Sequence, residues 1–230
     1  MTARQASRRL RAVLTRLRRA VGRRQWPGRG NAVDQLVATI LSQNTTGANS
    51  SVGYRRLKER FRTWHAVADA PVEEVERCIR ICGLSRIKAP RIGNILRRIR
   101  AERGRIDLEF LAEMSPQAAC EQLVRFDGIG PKTALCVLLF ALGMPVFPVD
   151  THIYRIARRL GVLGESVGPA RAHEVLTPRI APADRYEMHV LLIAHGRQIC
   201  RARRPKCPDC PIRSLCAFDR RSRGSGNPHA

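Results

Sequence analysis

Apolar residues recur at three- and four-residue spacings through almost the whole chain, and no run alternates long enough to make a convincing strand. That pattern confines the fold to packed helices. Leu10, Val13, Leu14, Leu17 and Val21 share one face of a helix predicted over 8–21. Further helices are predicted over 34–42, 52–61, 72–82 and 89–103, the last with Ile92, Ile95, Leu96 and Ile99 on one stripe and arginines opposite. Ser115 followed by Pro116 reads as an N-cap and first helical residue, with that helix running to about 125. Residues 133–142 are apolar on nearly every face and predict a buried helix. Helices at 150–160, 170–180 and 183–200 complete an all-α chain, and the polar tail 217–230 is expected to be disordered. No internal repeat is present beyond helix–Gly turn–helix units.

At 230 residues the chain can bury the core of one large or two small domains. It has no stretch of 18 uncharged apolar residues and no apolar leader, so no membrane partner is expected. The Arg-rich N-terminus, without an acidic residue before Asp34, imitates a transit peptide but reads better as the first amphipathic helix. Lys+Arg is 42 against 19 Asp+Glu, a net charge of +23. Charge on this scale points to a polyanion, nucleic acid above all. Only Lys58, Lys88, Lys132 and Lys206 are lysines, so each lysine stands out against a background of arginine.

Four of the eight cysteines, Cys78, Cys82, Cys120 and Cys136, lie in apolar helical surroundings and read as buried thiols. The other four form Cys200-x6-Cys207-x2-Cys210-x5-Cys216. A zinc ribbon brings two C-x2-C knuckles from separate hairpins. This loop has one such knuckle, and its irregular spacing favours an iron–sulfur cluster over zinc.

That spacing, with HGRQIC before the first ligand and CPIRSLC across the last two, resembles the endonuclease III family of DNA glycosylases. The resemblance covers about 8–216 and implies a [4Fe-4S] cluster held by Cys200, Cys207, Cys210 and Cys216. It also implies a loop that engages the DNA backbone through Arg203 and Arg204. Phe126-Asp-Gly-Ile-Gly-Pro-Lys-Thr133 resembles the family's helix-hairpin-helix, in which Gly128 and Gly130 let backbone N–H groups approach a phosphate. Asp127 stands where a Pro is common in the family.

At the end of that hairpin, Lys132 is either one more phosphate contact or a nucleophile. A Schiff base with a sugar aldehyde needs a primary amine, which arginine cannot supply. In the family, lysine here marks the bifunctional glycosylase/lyase. Pro148-Val-Asp150-Thr-His-Ile-Tyr-Arg155 matches a second hallmark, and the resemblance makes Asp150 the catalytic aspartate. Asp150 is equally placed to be a helix N-cap, and one oxygen can serve each role. His152 is given no catalytic role.

Leu41-Ser-Gln-Asn44-Thr-Thr-Gly47 resembles the segment that enters DNA at the lesion. Asn44 replaces a frequent Gln, and Gly47 stands where an acidic residue is common. Gly83-Leu84-Ser85 corresponds to the loop supplying an apolar wedge, with Leu84 either that wedge or a helix-terminal core residue.

The resemblance implies a helical domain over 27–144, and a cluster domain made of 1–26 and 145–216. DNA is expected in the groove between them, with Lys132 and Asp150 facing each other across it. The expected activity is excision of oxidised pyrimidines from duplex DNA and nicking at abasic sites, by a monomer in the prokaryotic cytoplasm at the nucleoid. Rival readings are a mismatch-specific glycosylase of the same fold and a non-catalytic DNA-binding iron–sulfur protein.

Overall fold

The computed structural model describes Met1–Asp219 and builds them from helices and short 3-10 turns, with no strand among the described residues. The helices are α1 (Ala3–Val21), α2 (Ala32–Ser42), α3 (Gly47–Arg60), α4 (Trp64–Asp69), α5 (Val72–Ile79) and α6 (Ser85–Arg103). They continue with α7 (Pro116–Val124), α8 (Pro131–Phe140), α9 (Thr151–Leu160), α10 (Ala172–Leu176) and α11 (Arg185–Gln198). None is long and apolar enough to cross a membrane. The chain divides into two compact units, Gly28–Met144 and Met1–Pro27 with the chain from Pro145.

In the unit Gly28–Met144, α8 is the central rod. Every residue from Thr133 to Leu139 is buried, and α2 and α7 pack against it. Such a helix has no solvent face, which is why its sequence shows no stripe. Gly130 caps its N-terminus and supplies no side-chain hydrogen bond, so the first-turn N–H groups are left for an outside acceptor.

The other unit is closed by α1. Its Ala6, Leu10, Val13, Leu14 and Leu17 enter one core with Ile153, Ile156 and Leu160 of α9 and with Leu191 and Leu192 of α11. Arg18 clamps this arrangement, donating to Asp184 at 2.8 Å and to Glu187 at 2.6 Å. The Arg18 guanidinium helps hold the Glu187 carboxyl below its usual range, against a burial effect that pushes it up.

Several helices start earlier than their apolar stripes suggest. Thr2 and Gln5 form a reciprocal capping box that adds a turn to α1. Thr46 caps α3 through the Asn49 N–H and recruits a first turn of small polar residues. α6 begins at Ser85 and carries Pro90 inside it, and the carbonyl that loses a donor belongs to exposed Arg86. The expected helices over 170–180 and 183–200 are shorter α-helices flanked by 3-10 turns. The expectation of a disordered tail from 217 needs correction at its start. Asp219 is buried and pairs with Arg213 at 3.1 Å, while Arg159 stacks on the Phe218 ring. The remainder of that tail, 220–230, lies outside the described residues.

Candidate nucleic-acid interface and metal centre

The hairpin between α7 and α8 is held by Ile129 N–H donating to the Phe126 carbonyl at 3.0 Å. Gly128 has φ +76°, and a Cβ there would lie 2.2 Å from Nε of Arg91. The positive φ favours glycine, whereas the flexible Arg91 side chain could move aside. Gly130 has a φ of −87°, which is open to any residue. A Cβ on Gly130 would meet nothing within 4 Å, so packing within the protein does not require glycine there. Lys132 stands exposed in the first turn of α8 and has no hydrogen-bond or ion-pair partner within its own unit. A helix N-terminus with free N–H groups and a free cation beside it is suited to a phosphate.

Asn44 and Leu84 both have φ of +52°, and Arg204 has φ of +49°. These are the only non-glycine residues with positive φ among the described ones. Left-handed backbone at a leucine costs about 1–3 kcal/mol and persists only where the surroundings impose it. Leu84 is 51% exposed, so it is not a core residue. Ile87, one turn on in α6, is also 52% exposed, so two large apolar side chains lie open to solvent at the start of this helix. All three strained positions are ones that the sequence marks for DNA contact. Behind Asn44, the Gln43 amide accepts from Arg91 at 3.5 Å and donates to the Thr133 hydroxyl at 3.2 Å. This ties the Asn44 segment to the hairpin.

Asp150 is the N-cap of α9, with Oδ1 accepting from the Ile153 N–H at 2.8 Å. Its other oxygen has no partner within the same unit. The extended segment before it is fixed by buried His189 of α11, whose Nδ1 lies 3.0 Å from the Pro148 carbonyl. His152 packs on Gly196, where a Cβ would come within 2.8 Å of its own Cβ, and this gives it a packing role.

Cys200, Cys207, Cys210 and Cys216 line one pocket together with Ile156, Arg159 and His195. Two arginines of α9, a turn apart, hold the loop. Arg155 donates to the Cys200 carbonyl at 2.8 Å, and Arg159 to the Arg201 carbonyl at 2.7 Å. Arg159 also donates to the Cys200 sulfur at 3.2 Å. Burial pushes the Cys210 thiol up to about 11, and the neighbouring Cys200, Cys216 and Cys207 add to this. Burial also drives His195 down to about 4, so a neutral imidazole sits 3.7 Å from Cys210. Among the described residues no three of His, Cys, Asp or Glu are arranged to hold a metal ion at one point. Four soft sulfur donors spread around one pocket fit a cluster, whose irons take their thiolates at separate corners. Arg203 and Arg204 lie exposed on this loop, unpaired within their unit.

Three residues went unrecognised in the sequence. Arg155 and Arg159 look like surface charges on an amphipathic helix, and buried Lys88 looks like one more solvated cation. No local signal marks them, because their backbone acceptors, the Cys82 carbonyl apart, lie more than forty positions away.

Comparison with known proteins places this arrangement. Residues 37–181 match the sequence model of the HhH-GPD superfamily base excision DNA repair protein. Endonuclease III of Sulfolobus acidocaldarius is 36% identical over 190 residues, covering 82% of this chain and 82% of that protein. A protein of Arabidopsis thaliana named "Putative DNA glycosylase" is 38% identical over 192 residues, and the match covers 79% of this chain but only 65% of that protein. The structure of a non-covalent endonuclease III–DNA complex superposes with a TM-score of 0.80 at 28% identity, covering 97% of this chain and 99% of that one. The chain belongs to the HhH-GPD superfamily of base excision DNA repair proteins. Within it, this is an endonuclease III-like DNA glycosylase.

One prediction concerns its charge. With about six phosphates neutralised, affinity for undamaged duplex should fall about 10³-fold between about 50 and 200 mM salt. Filter binding across that range checks it, and a flat profile would contradict the electrostatic reading of Arg203, Arg204 and the free cations.

Proposed function

We propose that the protein is a bifunctional DNA glycosylase/AP lyase that excises oxidised pyrimidines from duplex DNA and nicks at abasic sites by β-elimination. The observation that carries this is Lys132, a free primary amine on the exposed first turn of α8, beside the hairpin's open N–H groups. In a chain whose cations are nearly all arginine, a simple phosphate contact at this place has no need of lysine.

In this reading the phosphate flanking the lesion docks on the N–H groups around Gly130. Arg203 and Arg204 hold the backbone elsewhere, and Asn44 and Leu84 enter the stack as the damaged nucleotide leaves it. Nζ of Lys132, once deprotonated, attacks C1′ of the sugar. A C1′–N bond forms, the glycosidic bond breaks, and the base departs with its bonding pair and gains a proton. The C1′–O4′ bond then breaks, O4′ takes up the remaining nitrogen proton, and the opened sugar is held on Nζ as an imine. Loss of a C2′ proton expels the 3′ phosphate, and water returns the free lysine. Asp150, with one oxygen committed to the α9 cap, uses the other to accept a proton or to stabilise positive charge developing at C1′. We assign the activity to a monomer in the prokaryotic cytoplasm, at the nucleoid.

We assign the four thiolates of Cys200, Cys207, Cys210 and Cys216 to a [4Fe-4S] cluster. When bound it supplies ligation that orders the Arg203–Arg204 loop, and no step above draws electrons from it. Purified protein is expected to carry about four irons and four inorganic sulfides per chain. Metal analysis giving one zinc and no iron would overturn this. Cys207→Ser is expected to lose iron and DNA affinity together.

The direct test is a duplex carrying an oxidised pyrimidine, labelled on the damaged strand. The reading predicts release of the base and a nick ending in a 3′ unsaturated aldehyde. Base release with the strand left intact would reduce the protein to a monofunctional glycosylase.

A further inference from the structure

Lys88 is 1% exposed, the most deeply buried charged residue described. Its ammonium has three N–H donors, and each finds a backbone carbonyl. These are Leu41 at 2.9 Å, Gln43 at 2.7 Å and Cys82 at 3.0 Å. The acceptors come from two segments that are distant in sequence. Leu41 and Gln43 belong to the end of α2, immediately before Asn44. Cys82 closes the 3-10 turn Arg80–Cys82, two residues before Leu84. Asn44 therefore comes one residue, and Leu84 two residues, after carbonyls that share one cation. The end of α2 is a natural cation site, since its last carbonyls lack intrahelical partners. Lys88 reaches it from α6, the helix whose N-cap is Leu84 itself. No carboxylate hydrogen-bonds this ammonium, so it serves no ion pair.

We propose that Lys88 is a positioning residue for lesion recognition, a buried clamp that holds the Asn44 and Leu84 tips at a fixed separation so that they enter the duplex as one unit. The proposal rests on the reading of both tips as DNA-inserting and goes beyond it by naming what sets their spacing. The clamp works through backbone carbonyls, so it is indifferent to the side chains at the tips. A rigid pair enters a gap in the stack without first losing conformational freedom, and that advantage exists only where a gap is present. Undamaged duplex, held through its phosphates, gains nothing from it.

The test compares affinity for undamaged duplex with affinity for the same duplex containing a tetrahydrofuran abasic-site analogue. Lys88→Met keeps the bulk and removes all three donors. The clamp predicts unchanged binding to undamaged duplex and a preference for the analogue reduced by about tenfold or more, the scale of a lost charged hydrogen-bond set. A lower Tm with the preference intact would make Lys88 merely structural and overturn the proposal. Wild-type protein with no preference for the analogue would overturn the reading of the tips, and the clamp with it.

Should Lys88→Met fail to fold, hydrogen exchange of the wild-type protein decides. The Gln43 and Gly83 amides donate to Ile40 and Arg80 carbonyls next to the clamp. A shared clamp predicts that they open in one event with matching protection. Protection differing by more than about tenfold would show that the two tips move independently.

Discussion

Lys132→Arg is expected to abolish β-elimination while leaving DNA binding intact. Arginine keeps the positive charge at the exposed first turn of α8, so the phosphate-facing electrostatics survive. It cannot form the imine, because a guanidinium stays protonated and has no free primary amine. No contact within the unit depends on the Lys132 side chain, so stability should be unchanged. Nicking of an abasic-site duplex should fall by at least about 10³-fold, toward the uncatalysed rate, as expected for loss of an activated nucleophile. Binding and nicking that both persist would make Lys132 a phosphate contact and nothing more.

Asp150→Asn separates two roles that coincide at one residue. The amide oxygen can still accept from the Ile153 N–H, so the α9 cap survives and the stability change should stay below about 1 kcal/mol. The negative charge and the proton-accepting oxygen are lost. Turnover on a damaged duplex is therefore expected to fall about 10²- to 10⁴-fold in a folded, DNA-binding protein. A variant with wild-type single-turnover rates would leave Asp150 as a capping residue only.

Much of this architecture was legible because the signals are local. The four C-terminal cysteines lie within seventeen residues, so their spacing alone places them around one pocket. The hairpin announces itself because the φ of +76° at Gly128 favours glycine. Asp150 as the cap of α9 follows from its place before a strongly amphipathic run. Helix starts were less legible, because caps such as Thr2 and Thr46 recruit polar first turns that carry no apolar stripe. α4 is six residues long, too short for any period to show.

Lys88, Arg155 and Arg159 stayed hidden for another reason. Each looks like a solvated charge on a helix, yet each satisfies backbone carbonyls that only the tertiary fold brings within reach. For Lys88 these lie six to 47 positions away, and for Arg155 and Arg159 they lie about forty. Burial of such a cation is decided by whether all its donors are met, and a sequence does not print that balance.

The central claim is that one particular amine becomes covalently joined to DNA. Sodium borohydride reduction of the wild-type protein with an abasic-site duplex, followed by digestion and peptide mass spectrometry, tests it without any substitution. A stable sugar adduct on Lys132 is predicted. An adduct on Lys58, Lys206 or the N-terminal amine instead, or none at all from protein that binds the duplex, would contradict it.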